Sequence, residues 1–147
     1  MIILINQPSD LKNISDTQDL LTKSKIIEEL QVNPFGKYLL EVENNQIIGY
    51  LYYSDIYDRA EINQIEVAIS NRNCGKASLL LEKMIKLVDK NITLEVKKTN
   101  TPALHLYHKY NFEAQAIRKG YYQGIDGILM ERKVKNNICY KLSLIHI

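Results

Sequence analysis

The stretch Arg72-Asn73-Cys74-Gly75-Lys76-Ala77 places a Gly and an Ala at alternate positions in a short loop. It follows the apolar run Ile65-Glu66-Val67-Ala68-Ile69 and opens onto an amphipathic segment. Small residues let backbone N–H groups come close to an anion, and a helix behind them adds the positive end of its dipole. The chemistry implied is a cradle for phosphate, above all a pyrophosphate. The same six residues, taken alone, suit an ordinary strand-to-helix turn equally well. A second candidate is Glu95. In Ile92-Thr93-Leu94-Glu95-Val96 the apolar residues share one face and the carboxylate points to the other, near the end of a strand. On a central strand a carboxylate costs free energy to bury unless it has a partner or a task, and burial would make it a better base. The alternative is a salt-bridged carboxylate on a sheet edge.

These residues need elements to hold them. Residues 1–6 read as a short strand, and Ser9-Asp10 suits the N-cap of a first short helix. Residues 24–31 carry Ile26, Ile27 and Leu30 on a second helix, closed by Asn33-Pro34. Residues 37–43 and 46–53 are strands joined at Asn44-Asn45, where Asn tolerates positive φ. A polar loop at 55–59 leads to a strand over 61–69. The helix predicted over 75–88 has its apolar stripe at Ala77, Leu80, Leu81, Met84, Leu87 and Val88. A strand over 92–96 precedes a helix over 102–110, with Thr101 as N-cap, Pro102 at the first helical position and Asn111 as a left-handed cap. Tyr107 falls on the stripe of that helix with Ala103, Leu106 and Tyr110, where a Tyr is ordinarily core. Residues 112–122 and 128–133 form a last antiparallel pair. The result is an α/β sandwich with a mixed, mostly antiparallel sheet of about seven strands and four helices. One domain spans 1–135. The tail, 136–147, fits no element of it and is either an added strand or a translated adapter, so it carries no functional weight.

At this point the chain resembles the GCN5-related N-acetyltransferase (GNAT) superfamily. Its cofactor loop, Q/R-x-x-G-x-G/A, is matched by Arg72, Gly75 and Ala77. Leu94-Glu95-Val96, Thr99-Asn100-Thr101-Pro102-Ala103, Leu106-Tyr107-His108-Lys109-Tyr110-Asn111-Phe112 and Arg118-Lys119-Gly120-Tyr121-Tyr122 follow in the order typical of bacterial ribosomal-protein-alanine N-acetyltransferases. The resemblance runs from about Ile62 to Met130. It implies acetyl-CoA as co-substrate, its pyrophosphate on the amides of Arg72, Asn73, Cys74, Gly75, Lys76 and Ala77. It implies that the strand before the loop bulges, that the backbones of Ile65 and Val67 bond the pantetheine arm, and that the Val67 N–H faces the oxyanion. The resemblance makes Asn100 a cofactor contact, Glu95 the general base acting through a water, Tyr107 the acid that protonates the sulfur, and Tyr121 and Tyr122 walls for the acceptor peptide. For Asn100 a turn residue before a helix, and for the two tyrosines plain strand aromatics, stay open as alternatives. Glu61 and Glu66 are rival carboxylates, Glu66 standing where those enzymes carry a small residue.

The implied reaction moves acetyl to the N-terminal amine of a protein, a ribosomal protein beginning with Ala or similar. Two other readings stand beside it: acetylation of a small-molecule amine (a polyamine or aminoglycoside) in a pocket acidic through Asp55, Asp58, Glu61 and Glu66, and a cofactor-binding module without turnover. Where the ribosomal-protein enzymes carry a Phe-Pro-Trp-Ser-like segment, this chain has Asp19-Leu20-Leu21-Thr22.

Bulk properties agree with an enzyme domain. The 147 residues can bury a core without disulfides or metals, and 46% hydrophobic with 24% charged residues is a globular balance. A net charge of +2, with acids and bases interleaved, gives no footprint for nucleic acid. Two cysteines, Cys74 and Cys139, make no framework, with Cys74 read as a small filler, and His105, His108 and His146 have no metal-ligand spacing. No apolar run is long enough to span a membrane, no basic-then-apolar leader opens the chain, and the expected location is the cytoplasm.

Overall fold

The computed structural model describes residues 1–16 and 20–134. The tail at 136–147, with Cys139 and His146, lies outside the described residues, as does Asp19. The chain divides into two compact units, one spanning Met1–Val88 and the other beginning at Asp89.

The first unit holds β1 (Ile2–Ile5), α1 (Lys23–Val32), β2 (Gly36–Glu43), β3 (Gln46–Asp55), β4 (Arg59–Val67) and α2 (Lys76–Leu87). Its four strands lie in chain order and every neighbouring pair is antiparallel. Asn44 and Asn45 have φ of 52° and 62°, the positive values that a two-residue hairpin turn demands. Alternation along β2 and β3 sorts the side chains into two faces. Tyr38, Leu40, Tyr50 and Tyr52 pack with Ile26 of α1 and with Leu11, Ile14 and Leu21. Leu39, Leu51 and Tyr53 point the other way, toward the side where Leu80 of α2 approaches Gly49. Covered on both faces, the central strands read as almost continuous apolar runs. Leu80, Leu81 and Met84 are wholly buried, worth roughly 1.5–3 kcal/mol each. Leu87, expected in that stripe, is 45% exposed because the helix is in its last turn there.

The expected first helix is a single 3-10 turn, Pro8–Leu11, and its cap is Gln7, with the Asp10 carboxylate accepting the Asn6 and Gln7 N–H groups. Among the described residues there are therefore three α-helices. Thr22 caps α1 by accepting the Lys25 N–H, and Leu21 beside it is core, so these two residues serve capping and packing.

The second unit holds β5 (Asn91–Lys97), α3 (Thr101–Lys109), β6 (Glu113–Tyr122) and β7 (Ile125–Arg132). β7 lies between β5 and β6, antiparallel to both. β6 and β7 meet in a tight turn at Gln123-Gly124, with φ of 51° and 90°. Residues 125–127, expected in a loop, are strand. The β6–β7 pairing carries register shifts between Ala114 and Ala116 and between Arg118 and Tyr122, and Gly120 takes φ of 64° inside the second. Ile92, Leu94 and Val96 are buried, which puts Glu95 on the opposite face of β5 as the alternation predicts.

Candidate active site

The loop at 72–77 forms by local backbone rules. β4 stops at Val67, a 3-10 turn covers Ile69–Asn71, and the strand predicted to Ile69 is two residues shorter. The Arg72 Nε donates to the Val67 carbonyl at 3.0 Å, fastening the loop to the end of the strand. Asn73 and Gly75 take φ of 62° and 77°. Gly75 is the N-cap of α2 in a left-handed conformation, has no side chain to cap with, and has open space where a Cβ would stand. The first amides of α2 thus meet no capping side chain, and a helix start of that kind is a ready anion site. The Lys76 ammonium does not add to it: it is held by Glu43 at 3.1 Å and Glu41 at 3.8 Å, and the Glu43 hydrogen bond raises its pKa. Cys74 is exposed, its Sγ 3.5 Å from the Arg72 carbonyl, and so fills no interior gap.

Upstream, β4 bulges. Tyr52 pairs with Gln64 and Tyr53 with Ile62, leaving Asn63 extra. The bulge puts Gln64 and Glu66 on the face of Tyr50 and Tyr52, while Ile65 and Val67 share the face of Gly49 and Leu51. Glu66, whose presence the sequence left without a reason, accepts from the buried Tyr50 hydroxyl at 3.1 Å and from the Gln64 amide. Glu61 is half-buried opposite Ser54. Of the other carboxylates considered for an acidic pocket, Asp55 lies 3.5 Å from Lys37 and Asp58 3.8 Å from Arg59.

In the second unit Glu95 is half-buried, with its side chain 19% exposed. Its Oε1 accepts from the Tyr122 hydroxyl at 3.4 Å, and its Oε2 lies 3.2 Å from the Arg118 Nε. Burial first, then the Glu95 charge, raises the Tyr122 pKa, so that hydroxyl keeps its proton. Tyr121 is 56% exposed with its ring edge-on to Tyr122. Tyr107 is the deepest residue of α3, its ring 5.5 Å from Phe112, and burial pushes its pKa up to about 12. Tyr110 is only half-buried, and His105 and His108 are exposed. Asn100, not Thr101, is the N-cap of α3: its Oδ1 accepts the Ala103 N–H at 3.3 Å.

Residues 6–112 match the acetyltransferase (GNAT) family, a span that runs through both units. The chain belongs to the GNAT acetyltransferase family. A putative ribosomal protein bS18-alanine N-acetyltransferase of Bacillus subtilis is 30% identical over 115 residues, 74% of this chain and 76% of that protein. Among solved structures, the ribosomal-protein-S18-alanine N-acetyltransferase of Escherichia coli superposes with a TM-score of 0.71 at 20% identity, covering 91% of this chain and 94% of that one. A GNAT family acetyltransferase of Elizabethkingia anophelis with acetyl-CoA bound gives 0.68 at 21%, covering 90% and 97%.

GNAT acetyltransferases use acetyl-CoA, and this one is an N-acetyltransferase with the seven-stranded, mostly antiparallel fold of the family. Its α2 start fits that ligand's diphosphate, being uncapped, open and led in by a glycine at positive φ. Two neighbours of Glu95 carried no signal in the sequence. Arg118 read only as one letter of a motif, and Gly127 read as loop. No helix among the described residues is long and apolar enough to cross a membrane, and no group of metal-binding side chains is found among them.

Proposed function

We propose that this GNAT enzyme acetylates the N-terminal amine of a protein, a ribosomal protein with N-terminal Ala or a similar small residue. The observation that carries the reading is Glu95, a half-buried carboxylate on β5 bonded to Tyr122 within the Arg-x-x-Tyr-Tyr segment. The relative in Bacillus subtilis is named for that acceptor. Acetyl-CoA supplies the acyl thioester. The amides of Arg72 to Ala77 hold its diphosphate, the backbones of Ile65 and Val67 align its arm, and Asn100 adds a side-chain amide. Glu95 takes a proton from the acceptor ammonium through a water, leaving a neutral amine to attack. The Val67 N–H donates to the carbonyl oxygen as negative charge gathers there. Tyr107, protonated at every physiological pH, donates to the departing sulfur. Tyr121 and Tyr122 flank the acceptor backbone. The small-amine reading needs free acidic side chains, whereas Asp55 and Glu66 already have partners in Lys37 and Tyr50.

The test is CoA release with acetyl-CoA and a panel of N-terminal peptides, polyamines and aminoglycosides. Turnover with peptides alone is expected. Turnover with amines alone would replace this reading by the small-molecule one, and cofactor binding without turnover would leave a binding module.

A further inference from the structure

The two oxygens of Glu95 have unlike surroundings. Oε1 receives the Tyr122 hydroxyl. Oε2 is buried and accepts no aligned hydrogen bond, yet the Arg118 Nε stands 3.2 Å away. Glu95 is on β5 and Arg118 on β6, so this ion pair crosses β7. Gly127 is where it crosses. It pairs with Lys97 on one side and Arg118 on the other. A Cβ there would come within 3.0 Å of both Glu95 Oε2 and Tyr122 Cε2. The backbone at Gly127 asks for no positive φ, so the glycine answers a need for space, not for conformation. The guanidinium also meets an aromatic ring, its Cζ 4.9 Å from the Tyr121 ring centre.

We propose that Arg118 is a positioning residue: it clamps Oε2 across the notch left by Gly127, so that the carboxylate presents Oε1 to the proton it removes. The inference rests on the reading of Glu95 as base. A half-buried carboxylate without its cation loses the partner that fixes its rotamer and turns more freely. The other groups near it are the two tyrosines and Lys97, whose ammonium is 5.3 Å from the Tyr122 ring. None of them replaces the guanidinium at Oε2.

The test has two readouts on R118M, R118K and G127A. Carbon-13 NMR of the Glu95 carboxyl, assigned with E95Q, reports its surroundings and mobility without any turnover. R118M is expected to shift and broaden that signal, with R118K between it and the wild type. R118M lowers kcat about tenfold, as loss of positioning does, and R118K restores part of it, while KM for acetyl-CoA stays within about twofold. G127A keeps the charge but crowds Oε2, and is expected to lower kcat about tenfold with the melting temperature near that of the wild type. R118M with an unmoved carboxyl signal, or with wild-type kcat, overturns the proposal. If R118M does not fold, R118K and G127A decide it by the same measures. Wild-type kcat in E95Q sinks the base assignment alone, since the NMR signal still judges the clamp.

Discussion

Glu95 and Tyr107 are both tied into their surroundings, in chemically opposite ways. Glu95 keeps an open carboxylate next to a cation and a phenol, whereas Tyr107 is enclosed beside Phe112 and holds its proton up to about pH 12. A group so weakly acidic is a donor of hydrogen bonds before it is a donor of protons. A cysteine thiol, with a pKa of about 8.5, lies well below it. Glu95→Gln and Tyr107→Phe are each expected to lower kcat by about 10²-fold or more, the usual scale for acid–base groups. Steady-state rates of the two variants check this, and wild-type rates in either one remove that residue from the mechanism. Glu95 could be read from the alternation of β5 because alternation is local. Arg118 could not, since its meeting with Glu95 depends on two register shifts in the β6–β7 pair that no residue pattern announces.

Elements whose ends follow from backbone chemistry were legible. Asn44-Asn45 and Asn111 have the positive φ that their types favour, and the stripe of α2 buries Leu80, Leu81 and Met84 as spaced. The start of α3 was misplaced by one residue because Asn100 and Thr101 are both good caps, and only the observed chain path selects Asn100. That cap gives Asn100 two separable duties. Its Oδ1 serves the helix, while the cofactor assignment would use its amide NH₂. Asn100→Ser keeps a capping oxygen and loses the amide, so the melting temperature is expected to hold while KM for acetyl-CoA rises. Asn100→Ala loses both and is expected to cost about 1 kcal/mol of stability besides. Thermal melts and saturation kinetics on the pair separate the roles, and equal KM in all three proteins would leave the residue a cap only.

At the scale of the molecule, the abundance of tyrosine has a physical cost. Tyr38, Tyr50, Tyr53 and Tyr107 are buried, and burial is the first cause raising each pKa above 10.0. The folded chain therefore holds these protons to higher pH than the unfolded chain does. The stabilisation is complete below pH 10 and declines as pH climbs through about 12, the value for Tyr53 and Tyr107. Alkaline melts should show a falling transition temperature only above about pH 10, and the tyrosinate absorbance of these residues should rise together with the loss of helical circular dichroism. An early, separate rise would contradict the burial. β6 has a different consequence. Among the described residues it is an outer strand of its unit and is exposed from Glu113 to Tyr121, an arrangement that elsewhere recruits foreign chains into fibrils. Here Arg118, Lys119 and the kink at Gly120 interrupt the flat ribbon, so the stretch that meets the carboxylate also has the charge and bend that disfavour polymerising through such a margin.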